Sequence, residues 1–351
     1  MTYFLTTLST AASMVAIAAA LNWTIDPAGL YRPTTFGQQY AKALIQSEHG
    51  LIQPDSMDER DYKSELAKFA GNYDCVVIGS SHVMQIGSER KHRSFPSCKS
   101  ILNLGVSGAA IEDHITLTWL ALSSGKPRKL IFGIDPWTFA YEKDERWKVR
   151  FADSYLAAQS AIGASPQEAA SSNRWSSLVS AEYTSRSIGL LSKGTLKPKI
   201  ELAQNVDEDV GGKFPIILQD GSNVYSSEYI TSTLAAKVPI GGTPYKTTGV
   251  VNDFRAVTAF IALLKWVKSQ GVQPVLLMTP YHQNVWLVEA SPNVKAMIPT
   301  EKIVREIGLD LGVAVIGSYR PDAVNCRSGE FYDFMHATAS CLAKMTATPA
   351  N

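Results

Sequence analysis

The chain has 351 residues but little in it that points straight to a class. Charge is scarce and balanced: 33 Lys and Arg stand against 32 Asp and Glu, a formal net charge of +1. Without a basic surplus or stripe, nothing equips it to hold a phosphate backbone, so no nucleic-acid partner is expected. Cysteine is rare, and Cys75, Cys98, Cys326 and Cys341 lack the close paired spacing of a metal site. No metal and no cofactor is therefore expected. There is no internal repeat and no low-complexity tract. The length suits one large α/β domain with an insertion, or two domains.

One uncharged run is present. Residues 3–22, Tyr-Phe-Leu-Thr-Thr-Leu-Ser-Thr-Ala-Ala-Ser-Met-Val-Ala-Ile-Ala-Ala-Ala-Leu-Asn, are about as long as a membrane-spanning helix. Trp23 would lie at the interface. No Lys or Arg precedes the run, so the usual orientation signal is missing. The reading adopted is an uncleaved anchor; the alternative is a cleaved signal peptide, with Ala16-Ile17-Ala18 or Ala18-Ala19-Ala20 as the small-residue site. Either way, the remainder forms one domain on one side of a membrane. Residues 24–56, with Pro27, Gly29 and Pro33, read as a stalk.

The stretch that organises the rest is Tyr73 to His82. Cys75-Val76-Val77-Ile78 is an apolar, β-branched run suited to a central parallel strand, and Cys75 reads as a buried thiol. The run breaks at Gly79 into Ser80, Ser81 and His82. A serine on a strand-to-helix turn is well placed for a nucleophile, with backbone N–H groups behind it. The plainer alternative is a small-residue turn with serine as helix cap.

Four further strands follow, at 100–104, 129–134, 274–278 and 313–316. Helices are expected at 57–70, 109–123, 252–270 and 301–311. The alternation predicts a three-layer α/β/α fold around a five-stranded, mainly parallel sheet. Residues 57–139 and 251–345 make up this domain, and 346–351 are a tail. Residues 140–250 break the rhythm and form an insertion, a lid or substrate platform, with a hairpin around Asp220-Gly221.

Ligands of open parallel sheets bind beyond the carboxyl ends of the strands. That places Ser81, His82, Asn103, Gly105, Gly108, Asp135 and His282 near one another, with Asp333 and His336 beyond the last strand. The Asp333-x-x-His336 spacing sets a carboxylate beside an imidazole, which can orient the ring while its other nitrogen faces a nucleophile. His82, Asn103, Asp135 and His282 are candidates for lining the site. Glu112 and Asp113 read as charges complementing a helix dipole.

Gly79-Ser80-Ser81, Asn103-Leu104-Gly105-Val106-Ser107-Gly108 and Asp333-Phe334-Met335-His336 resemble three of the four signature blocks of SGNH (GDSL-type) hydrolases, in order. The match is closer to the Gly-Ser-Ser subgroup, which includes membrane-anchored proteins similar to the alginate O-acetylation proteins and the teichoic-acid D-alanyl transfer protein. The resemblance covers about 75–136 and 252–340. It implies the SGNH, flavodoxin-like fold. It also implies Ser81 as nucleophile, His336 as general base, Asp333 as orienting acid, and the amides of Ser81 and Gly108 as oxyanion hole. Acyl transfer would pass through an acyl-serine, ending on water in an esterase or on a sugar hydroxyl in a transferase. The implied substrate is an acylated or acylatable cell-envelope glycan, with a membrane-bound O-acyltransferase as partner. The implied location is the inner membrane, single-pass, with the domain on the periplasmic side. In such a compartment Cys326 and Cys341 are a candidate disulfide, leaving Cys98 unpaired.

One departure is plain. The family's third block has Gly-x-Asn-Asp, whose Asn donates to the oxyanion; here Gly133-Ile134-Asp135 has none. Such a donor is typically worth about 3 kcal/mol. The departure fits a slow, specialised transferase, and equally a non-catalytic scaffold or glycan-binding subunit. In that second reading Trp147, Trp175, Tyr183, Tyr225 and Tyr229 would be sugar platforms, unless buried.

Overall fold

The computed structural model describes residues 2–27, 29–31, 35–54, 57–88, 90–140, 147, 151–164, 174–193, 199–204, 212–235 and 237–347. In chain order the elements are α1 (Thr2–Ile25), α2 (Phe36–Gln46), β1 (Leu51–Ile52), α3 (Glu59–Leu66), β2 (Cys75–Ile78), β3 (Ile101–Asn103), α4 (Ile111–Ser124) and β4 (Lys129–Gly133). The insertion follows, with α5 (Ala152–Ala161), α6 (Ala181–Lys193), β5 (Ile216–Ile217), β6 (Asn223–Val224) and α7 (Ser227–Ala235). Then come α8 (Phe254–Ser269), β7 (Gln273–Met278), α9 (Gln283–Trp286), α10 (Pro292–Leu311), β8 (Ala314–Gly317) and α11 (Ala339–Ala347).

The main sheet runs β3-β2-β4-β7-β8 and every pairing is parallel. Strand side chains alternate between two cores, which makes the fold three-layered. Val76, Ile78, Leu130, Phe132, Leu276 and Met278 join the larger core, with Phe260 and Leu264 of α8 and Met297 and Val304 of α10. Cys75, Val77, Ile131, Val275 and Leu277 face the other way, onto Val83, Ile86, Leu342 and Met345. That second face is closed mainly by Val83, Ile86 and Phe95 and by α11. The order of strands reverses between β2 and β4, and a crevice opens at such a switch point.

Several expectations shift. Residues 24–56 are more than a stalk: α2 packs on α3, with Tyr40, Ala41 and Leu44 in the core, and β1 pairs with β5. The 216–224 hairpin is present and takes β1 as a third strand. The helix expected at 301–311 begins at Pro292, because Ser291 accepts from the Val294 amide as a cap and Pro sits at the first helical position. Cys75 is not a thiol, since it is bonded to Cys98; Cys326 and Cys341 are also bonded, so no cysteine is free.

Among the described residues, no helix is long and apolar enough to cross a membrane. The side chains of residues 3–5 and 8, part of the expected anchor, lie outside the described set. The C-terminal end of α1 is tied to the insertion. Asn22, fully buried, donates to Leu178 O at 2.7 Å and to Thr184 Oγ1 at 2.8 Å, and accepts from Ser187 Oγ at 2.8 Å.

A buried cation joins the small sheet to the large one. Lys63 Nζ donates to Asn103 O at 2.9 Å and to Gly221 O at 2.6 Å. Burial pushes its ammonium down to about 8, against the smaller upward pull of Glu59 and Asp220. Between about pH 8 and pH 10 the unfolded chain therefore binds more protons at this residue than the folded chain, and the contribution of Lys63 to stability rises with pH across that window. We expect the stability difference between wild type and K63M in urea unfolding to move by about 2 kcal/mol in favour of the wild type from pH 8 to pH 10, because buried tyrosines titrate with the opposite sign in both proteins; a difference that does not change with pH would show that Lys63 is not held in this environment.

Candidate active site

Backbone geometry at the end of β2 presents Ser81. Gly79 must lack a side chain, because a Cβ there would stand 3.0 Å from Val83 Cγ2 and 3.1 Å from Gly133 Cα. The capping role falls to Ser80, whose Oγ accepts from the His82 amide at 3.2 Å. Ser81 is left half-buried, with its hydroxyl 2.9 Å from His336 Nε2.

His336 sits on a turn segment between β8 and α11. A bridge between Phe331 and Ala337 and the bond from Tyr332 N to His336 O fold that segment back on itself. The disulfide Cys326–Cys341 closes the loop that carries it. His336 Nδ1 lies 2.7 Å from Asp333 Oδ2. Asp333 Oδ1 accepts from the amides of Met335 and His336, both at 2.8 Å, so the carboxylate is fixed to its own turn. Tyr229 adds an O–H donor to Oδ2 at 3.2 Å. Burial alone would raise the Asp333 carboxyl. The bond and charge of His336 and the two amides outweigh it and hold the group well below the usual carboxylate range. The aspartate is therefore held ionised near neutral pH, as an acceptor for Nδ1–H requires.

Two amides complete the arrangement. Among the described residues, neither the Ser81 N–H nor the Gly108 N–H has a backbone or side-chain acceptor. The two turns are docked, because Val106 N donates to Gly79 O at 2.9 Å. Gly108 has φ +59, a conformation natural to glycine. Its turn is braced by Asp113, whose Oδ2 accepts from Ala110 N at 2.8 Å while both its oxygens take the buried Arg60 guanidinium, at 2.6 and 2.8 Å. Asp113 is thus an internal strut, in addition to lying in the first turn of α4. Lys246 reaches over the same turn from the insertion, donating to Gly108 O at 3.2 Å.

The other candidates divide. His82 is buried beside the chain of three, with its ring 5.1 Å from that of His336 and edge-on at 89°. Asp135 lies 2.7 Å, through Oδ1, from His82 Nδ1. The approach is at ion-pair distance but off the hydrogen-bonding direction, and His82 Nε2 and Asp135 Oδ2 are buried without partners. Trp137 and Tyr281 enclose the histidine. The aspartate in place of the donor Asn is thus directed at an imidazole. Asn103 does not line the site: its amide is saturated by Val83 O, Ile86 O and Gly105 N, lacing the turn after Ser81 to β3. His282 does not line it either. It caps α9 through Nδ1, at 3.1 Å from Asn284 N, and burial lowers its basicity. Its backbone N–H supports the Asp333 segment by donating to Phe334 O at 3.0 Å.

Among the described residues the one close grouping of metal-ligating types is Asp74, Cys75 and Cys98, and its cysteines are disulfide-bonded. A cavity of about 320 Å³ near the starts of β4 and β7, lined by Phe95, Lys129, Gln273 and Thr346, shares no residue with the Ser81 cluster. Tyr229 and Lys246 are the contributions that sequence reasoning did not place here. Both come from the insertion, and no local pattern marks either. Neither the models of protein families nor the curated proteins match this chain.

The buried His82–Asp135 pair makes a measurable prediction. D135A leaves an imidazole buried without its carboxylate and should cost roughly 3 kcal/mol in urea unfolding. H82A should cost a similar amount, and the double variant less than the sum. Strict additivity would mean the two groups do not interact.

Proposed function

We propose that this protein is a serine-dependent acyl-transfer enzyme of the SGNH type, an esterase or O-acyltransferase. The observation that carries the reading is the continuous hydrogen-bonded chain Ser81 Oγ–His336 Nε2 and His336 Nδ1–Asp333 Oδ2, at 2.9 and 2.7 Å. Ser81 Oγ attacks the acyl carbonyl while His336 Nε2 takes its proton, and Asp333 stabilises the imidazolium. The amides of Ser81 and Gly108 receive the oxyanion. Collapse breaks the bond to the leaving alcohol, which takes the proton back from His336, and an acyl-serine remains. An acceptor hydroxyl, from water or a sugar, then repeats the sequence in reverse: His336 takes its proton, the acyl group moves, and Ser81 regains its hydrogen.

The envelope glycan substrate, the O-acyltransferase partner and the periplasmic location rest on the resemblance of the three motifs. Two features support a non-cytosolic site of action. All four cysteines are paired, as in oxidising compartments. The α1 helix carries no charge, and Trp23, Tyr31 and Trp175 stack at its foot, with Trp23 and Trp175 about half exposed, in the manner of an interfacial aromatic cluster. Attachment to the membrane through α1 belongs to the proposal. The rival reading, a non-catalytic glycan-binding scaffold, draws on Asp135, which leaves the hole with two amides. Its sugar-platform candidates are largely spent elsewhere. Trp147 is buried, and Trp175 and Tyr183 lie at the foot of α1.

Full-length protein in mild detergent should hydrolyse a small acetyl ester, and a fluorophosphonate should label Ser81 by mass. S81A and H336A should each lower kcat by roughly 10³ or more. Absence of both turnover and labelling in the wild type would sink the enzyme reading in favour of the scaffold.

A further inference from the structure

We propose that Tyr229 is a positioning residue for His336, through which the 140–250 insertion becomes a working part of the catalytic chain. The inference rests on the acyl-transfer reading for its meaning, and on geometry for its content. Asp333 Oδ2 receives two donors, His336 Nδ1 at 2.7 Å and the Tyr229 hydroxyl at 3.2 Å. The second oxygen is already held by two backbone amides. Four donors surround one carboxylate, and only the tyrosine comes from outside its own turn.

The phenol can act here only as a donor, because an ionised carboxylate only accepts. Burial, then the charge of Asp333 and the bond to it, push the Tyr229 hydroxyl well above its ordinary range, so it keeps its proton across any working pH. Its position is braced. Tyr229 stands in the first turn of α7, where its amide donates to Ser226 Oγ at 3.2 Å. Its ring packs on Tyr225 at 4.8 Å, and Tyr225 meets the edge of Tyr332 at 5.1 Å and of His336 at 6.4 Å. Tyr332 donates to Gln85, which also accepts from Arg90, so the cluster is tied into the loop beyond Ser81.

Two donors on one oxygen share its charge. The Tyr229 bond therefore weakens the pull of Asp333 on a protonated His336, so that the ring returns its proton to the leaving group more readily. The same bond fixes the carboxylate plane, so the imidazole meets Ser81 at one angle. The other groups facing His336 are Ser81 and His82 on the β2 turn, with Asp135 behind His82, and Tyr225 and Tyr332. Tyr281, beyond β7, touches His82 and is influenced by Asp333.

The test compares wild type, Y229F and Y225F as full-length chains. Two quantities are read: the pH profile of kcat/KM, and the pH at which the ring ¹⁵N signals of His336 move, assigned by their loss in H336N. In Y229F the acidic limb and the NMR transition should both move up by roughly 0.5 of a pH unit. At the acidic end kcat/KM should fall about threefold, with Y225F unmoved. A lower rate with both transitions unmoved would reduce Tyr229 to packing and overturn the proposal, as would an equal shift in Y225F. The NMR measurement needs no turnover. A shifted transition in a chain that shows neither ester turnover nor fluorophosphonate labelling of Ser81 would overturn the acyl-transfer reading while keeping the Tyr229 coupling.

Discussion

The hydrogen bond between Ser81 and His336 joins residues 255 apart in the chain, and much of the architecture exists to make that closure reliable. A contact of such separation gains nothing until the intervening chain is ordered. The five parallel strands do most of that ordering, setting the end of β2 at the switch point of the sheet and delivering the chain past β8 to the same edge. The last step is local. The disulfide Cys326–Cys341 and the two amide bonds onto Asp333 narrow the freedom of a segment whose stretch from Phe331 to Thr338 is held mainly by turns.

Buried charge surrounds this closure, and each instance is handled by a partner. Arg60 and Asp113 brace the Gly108 turn with a two-pronged bond, Lys63 is shared by two carbonyls, and Asp135 faces His82. Such groups add little net stability, because desolvation offsets their attraction. Their effect is on arrangement, since a buried charge tolerates few alternative packings. The His82–Asp135 pair is the least satisfied of these, with unpartnered atoms on both members. Its histidine lies directly against the ring of His336.

The insertion changes how the site is understood. A sheet with its end loops would provide the serine, the histidine and the aspartate. The insertion adds Tyr229 on the carboxylate and Lys246 on the Gly108 turn. It also carries the residues that fasten the end of α1. One segment therefore reaches both the foot of the uncharged helix and the Ser81 end of the sheet.

The sequence by itself determined the strands, because their apolar runs are long enough to be read locally, and it determined the order in which Ser81, Gly108, Asp333 and His336 meet the carboxyl edge. It also marked Asp135 as a departure. Tertiary structure alone decided where that aspartate points, that Ser80 and not Ser81 caps the turn, and that Asn103 and His282 are spent on the backbone. It decided the partners of Cys75 and Cys98, and that residues 36–52 belong to the core. The reason is common to all of these. Periodicity and motif spacing report which face a residue occupies and which turn it ends, whereas a hydrogen bond is settled by the nearest partner across the fold, from segments with no relation in sequence.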